Sequence, residues 1–270
     1  MFIHFAFGAL GKQGNIKDQT QQVIEYILKE KRLKVTKCLE FLPVYPKKGA
    51  KKIPIERFKP TSNGVMAGIT STGLNGLRLL PDDKNIHYLP VDVPMICFIK
   101  ISFNKLKSST HMNEYGRSGL VLTDTFLTAL GIRPVHYYTE DSLWDDPLIK
   151  KWNDEANSSR HNPQLQKEIV SYRKPATLFP SFRESVTMRL SKTSSEFNIK
   201  YLTYDRYKEG YDFTNEQEHR IVFEEGVEYL YFNENDLFMV LTPDSWSKDR
   251  VEMYFRVNWT KKPEIRIFPS

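Results

Sequence analysis

The chain has 270 residues, 40 % of them hydrophobic and 13 % aromatic, and 39 Lys+Arg against 33 Asp+Glu leave a net charge of +6. That aromatic content excludes a disordered or low-complexity chain, and 13 Gly with 15 Pro exclude a collagen-like repeat. No run reaches the ~18 consecutive apolar residues of a membrane-spanning helix. The opening Met1-Phe2-Ile3-His4-Phe5-Ala6-Phe7 is too short for a secretory leader and lacks a basic start. A single cytoplasmic domain over 1–270 is therefore expected, with no membrane association. Cys38 and Cys97 both sit in apolar runs and read as buried free thiols rather than as a disulfide or metal pair.

Along the chain, Phe2–Phe7 reads as a buried strand interrupted only by His4. Asp18 is a good N-cap, and Val23, Ile24, Ile27 and Leu28 fall at helical spacing, so a helix is expected from there to Lys34. Residues 43–92, rich in Pro, Gly, Asn, Asp and Lys, read as a loop-rich basic insertion. Met95–Ile101 and Gly119–Thr123 have the pattern of central strands. Asp124 caps a short helix that Gly131 ends, and Pro134–Tyr138 resumes as a strand. Helical turns are expected over 144–153 and 163–172. Three short strands follow at His219–Phe223, Glu228–Phe232 and Leu237–Leu241. Asp244 or Ser245 starts a helix with Trp246, Val251, Met253 and Phe255 for packing, and Glu264–Phe268 closes as an alternating strand. The expected class is α+β, built on a mixed or antiparallel sheet flanked by helices.

No phosphate-binding loop, dinucleotide fingerprint, nucleophile elbow or metal-binding cysteine spacing occurs, and a nuclease lacks its spaced Asp and Glu-x-Lys element. Three places remain where chemistry could sit. His4 is the one polar side chain of the first strand, and a buried imidazole needs partners for both ring nitrogens. In His111-x-x-x-Tyr115-Gly116-Arg117-Ser118-Gly119, glycines flank donors for phosphate or ribose, and Tyr115 offers a ring for stacking. Phe213-Thr214-Asn215-Glu216-Gln217-Glu218-His219-Arg220 would put Glu216, Glu218 and Arg220 on one face of an extended segment. A carboxylate there suits the positive charge that develops at an anomeric carbon, or it simply pairs with Arg220 at the surface. The basic run Lys47, Lys48, Lys51, Lys52, with Arg57 and Lys59, reads as a solvated loop or as a nucleic-acid contact.

The ordered series Ile3-His4-Phe5, Val93-Pro94-Met95-Ile96-Cys97-Phe98, His111-x-x-x-Tyr115-Gly116-x-x-Gly119-Leu120-x-Leu122, Gly131-Ile132-x-Pro134-Val135-x-Tyr137 and Phe213-x-x-Glu216-x-Glu218-x-Arg220 resembles the AbiGi-like abortive-infection proteins of bacterial phage defence. The same blocks resemble, more weakly, ADP-ribosyltransferases of the His-Tyr-Glu type. That second resemblance implies a fold of that kind and NAD as substrate. It implies that His4 and Tyr115 hold the nicotinamide end, with Arg117 and Ser118 as further binding residues. Glu218 would be catalytic and Glu216 would orient the acceptor. The expected function is a defence effector that transfers ADP-ribose to a macromolecule and is set off by a separate defence protein or phage trigger. The alternative is a non-catalytic protein of the same fold, the antitoxin or sensor half of a defence pair.

Overall fold

A computed structural model of the chain describes residues 1–5, 16–44, 87–106, 118–139, 141–158, 162–177 and 212–268. In chain order these form β1 (Phe2–Phe5), α1 (Ile16–Glu30), β2 (Arg32–Lys34), β3 (Thr36–Val44), β4 (His87–Lys100), α2 (Phe103–Leu106), β5 (Gly119–Leu122) and α3 (Asp124–Ala129). There follow β6 (Arg133–Pro134), β7 (His136–Tyr138), α4 (Pro147–Asn157), α5 (Pro163–Tyr172), β8 (Arg173–Pro175), β9 (Glu218–Val222), β10 (Tyr229–Tyr231), β11 (Leu237–Thr242), α6 (Ser245–Asn258) and β12 (Glu264–Ile267). The class is α+β. The main sheet runs β12-β11-β5-β1-β4-β9-β6, and β3 also pairs with β4. Within that path β11 and β12 are parallel, and the other paired strands whose register is resolved are antiparallel.

The backbone divides into two compact units. The first comprises Met1–Thr36, Pro94–Pro134 and Asn215–Ser270. Here β1 is the middle of the sheet, with β4 on one side and β5 on the other. Successive side chains alternate between faces. One face carries Phe2, Phe98, Leu120, Leu122 and Ile221, packed with Ile24, Ile27 and Leu28 of α1 and Val251 and Phe255 of α6. The opposite face carries Ile3, Phe5, Ile99, Val121 and Leu241, packed with Leu106 and Phe268. Gly119 allows β5 to lie this close to β1, since a Cβ there would meet the His4 carbonyl oxygen and Ile3 Cγ2 at 3.0 Å.

The second unit comprises Lys37–Val93 and Val135–Thr214. Its β7 and β8 pair in parallel, and α4 buries Trp152, whose Nε1–H donates to the Pro43 carbonyl at 3.1 Å. Asn162 caps α5, its Oδ1 accepting from the Leu165 N–H at 3.0 Å. Arg173 bonds Asp146 at 2.9 Å. Burial alone would raise the Asp146 carboxyl, but that guanidinium and the Ile149 and Leu148 N–H groups hold it below the usual value.

Several expectations need correction. The helix expected from Asp18 to Lys34 starts earlier and stops at Glu30, because Lys31 adopts φ 49° and turns the chain into β2. Thr123, rather than Asp124, is the N-cap of α3, although Gly131 at φ 74° does end that helix region as expected. Pro134–Tyr138 is not one core strand. Arg133–Pro134 pairs with β9, whereas His136–Tyr138 pairs with β8. Trp246 and Met253 of α6 face outward at 45 % and 65 % exposure, and Val251 and Phe255 alone of the expected four are buried. At the ends of the expected 43–92 insertion, Pro43 and Val44 finish β3 and residues 87–92 begin β4. Residues 45–86, with Lys47, Lys48, Lys51 and Lys52, lie outside the described residues. Cys38 and Cys97 are free thiols, half-buried rather than buried. Among the described residues no helix is long and apolar enough to cross a membrane.

Candidate functional site

His4 and Glu218 both lie in the first unit, on strands that flank β4. Ile3 stands opposite Ile99, and Ile99 stands opposite Glu218, so these three share a face. His4, one residue on, points to the other face, opposite Leu120. His4 and Glu218, which the weaker resemblance assigns to one nicotinamide-ribose site, thus lie on opposite faces of the sheet. Tyr115 and Arg117 lie outside the described residues. Ser118 is buried immediately before β5.

On its face, the His4 Nδ1–H donates to the Cys97 carbonyl at 3.0 Å, and the ring packs 5.7 Å from Phe98. A carbonyl only accepts, so this bond places the proton on Nδ1. Burial lowers the His4 pKa below 6.5, against the smaller opposite effect of that bond. His219, opposite Phe98, is on the same face, and its ring meets Phe2 edge-on at 5.0 Å. Its Nδ1–H donates to the Gln217 carbonyl at 3.1 Å. Burial lowers its pKa too, with a further push from Lys100.

On the opposite face, Glu218 and Arg220 project side by side from β9 and clasp each other. Arg220 Nε donates to Glu218 Oε1 at 2.8 Å and Nη2 donates to Oε2 at 3.1 Å. Arg220 is fully buried and Glu218 nearly so. The two-toothed geometry is the strongest form of carboxylate–guanidinium pairing. The expected pair is present, but inside the protein rather than at its surface. Glu216 is also buried, yet it ends a 3-10 turn over Phe213–Glu216 instead of continuing the strand. Gln217, at φ 45°, kinks the backbone between the two glutamates, so the alternation expected to put Glu216 on the Glu218 face does not operate. The Gln217 carbonyl accepts from the Lys100 N–H at 3.2 Å, which anchors this kink to β4.

The sequence pattern names Arg220 only as a pairing partner of Glu218 and gives His219, on the opposite face of the strand, no role. The signal for Arg220 was its i, i+2 spacing from Glu218 on a strand that runs straight into apolar residues.

A family model described as "Putative abortive phage resistance protein AbiGi, antitoxin" matches residues 82–258. The chain belongs to the AbiGi family. The matched span takes in β4, β5, β9, β11 and α6, and with them Glu216, Glu218 and Arg220; β1 and His4 precede it. Membership places this chain among the abortive-infection proteins of phage defence. No curated protein and no solved structure matches the chain.

Proposed function

We propose that this AbiGi-family protein is the antitoxin of an abortive-infection pair and acts by binding a separate defence protein rather than by catalysis. The observation that carries this reading is the Glu218–Arg220 clasp. Both carboxylate oxygens that would stabilise an oxocarbenium-like centre accept from one fully buried guanidinium. A carboxylate so neutralised serves the fold, and the imidazole expected to assist it faces the other way. The family description supports the same conclusion.

The test is expression of the cognate toxin with and without this chain. Growth arrest by the toxin alone, relief by the chain, and co-purification of the two support the proposal. The purified chain is also incubated with NAD. Nicotinamide release that disappears in Glu218→Gln, while the variant stays folded, would overturn the binding reading and restore the transferase one.

A further inference from the structure

The β2 and β10 strands of the first unit form a two-stranded ribbon, with Tyr229 opposite Lys34, Leu230 opposite Leu33, and Tyr231 opposite Arg32. Leu33 and Leu230 are buried in the core, so alternation turns Arg32, Lys34, Tyr229 and Tyr231 to the outer face. Tyr231 is 62 % exposed there and Lys34 is exposed. The Arg32 guanidinium sits 4.0 Å from the centre of the Tyr229 ring, and its Nη2 donates to the Tyr26 hydroxyl at 2.6 Å. The Tyr231 and Tyr26 hydroxyls hold this guanidinium more firmly charged than an ordinary arginine. The rings of Tyr229 and Tyr231 are 6.3 Å apart.

We propose that this outer face binds single-stranded nucleic acid. Tyr231 stacks one base, the Arg32–Tyr229 tower offers a second flat platform, and Lys34 pairs with phosphates. Aromatic rings interleaved with cations on one surface are what such a strand requires, because every base has a face to stack and every linkage a charge to neutralise. Residues 29–34 read Lys-Glu-Lys-Arg-Leu-Lys. Glu30 lies 3.4 Å from Arg32, and Lys31 is taken by Glu234, which leaves Lys34 for phosphates. Exposed lysine is depleted at protein–protein interfaces, which favours a polyanion over a protein as the occupant. Glu228, exposed just before β10, repels phosphate and bounds the track at that end. Stacking needs unpaired bases, so a duplex is a poorer ligand. Since base faces and phosphates are common to DNA and RNA, both bind alike.

The experiment is fluorescence anisotropy of the full chain with labelled 12-residue oligo-dT, oligo-rU and a DNA duplex across a salt series. Saturable binding of both single strands, tighter than of the duplex, is expected. Tyr231→Ala, at an exposed position, should weaken it about tenfold. Lys34→Ala should reduce the salt slope by about one. Circular dichroism confirms that both variants remain folded. Absence of binding at low salt overturns the proposal. So does binding that neither variant changes, because the strand then lies elsewhere. If instead both variants lose the cognate toxin while oligonucleotide affinity is untouched, the face belongs to a protein partner and the proposal also fails.

Discussion

Arg220 reaches back two residues along β9 and holds both oxygens of Glu218, with the guanidinium fully buried and the carboxylate nearly so. Removing one member of such a buried pair leaves the other as an uncompensated charge, which typically costs about 3–5 kcal/mol. Glu218→Leu and Arg220→Met should each lower stability by about that amount in denaturant titrations. The double variant Glu218→Leu with Arg220→Met should be more stable than either single one. Additive losses in the double variant would show that the two side chains act independently.

The imidazole of His4 gives a pH dependence with a definite sign. The unfolded chain protonates this ring near 6.5, whereas burial lowers the folded value. The unfolded state therefore binds more protons below that point. Stability is fully present above 6.5 and is lost as the pH falls from there through the folded pKa. His219 acts in the same direction. Melting temperatures measured between about pH 7.5 and 5.5 should fall on acidification, and the fall should be shallower in His4→Gln. An unchanged slope in that variant would remove His4 as the source.

Two glycines should respond to alanine for different reasons. Gly119→Ala drives a methyl group into the backbone of β1, and overpacking of this kind costs about 1–3 kcal/mol. Gly131 has open space around it but sits at φ 74°. Gly131→Ala should cost about 1 kcal/mol, the penalty of a left-handed backbone with a Cβ. Thermal denaturation of the two variants checks both values.

The Asp244 side chain caps α6, its Oδ1 accepting from the Ser247 N–H at 2.9 Å. Asp244→Ala should cost about 1 kcal/mol, and Asp244→Ser should retain most of it. Equal losses in the two would show that the charge, not the cap bond, matters there.

The sheet is legible where apolar runs are bounded by turns: β5 falls within its expected strand, β9 and β11 match theirs to within one residue, and β4 begins at His87, eight residues before the expected Met95. The β2 and β3 strands were missed because nothing local marks Lys31 as the left-handed residue that ends α1. Helical periodicity simply continues through the sequence there. The pairing partner of Glu218 was visible as an i, i+2 spacing, but its burial depended on the strands around it. The relation of His4 to Glu218 was beyond local reading altogether. It is set by the register of β1 on β4 and of β4 on β9, and a shift of one residue in either would reverse which face a side chain takes.

The position of β1 also bears on how the chain must fold as it is made. Phe2 pairs with Lys100 and with Leu122, and β5 in turn pairs with β11 near residue 240. This apolar strand thus waits, unpaired, until β4 and β5 have been made, about a hundred residues further along the chain. Contacts so distant in sequence close slowly, and an orphan strand invites wrong neighbours in the meantime. Chaperone demand during synthesis, and sluggish refolding afterwards, follow from placing β1 between two strands so distant from it in sequence.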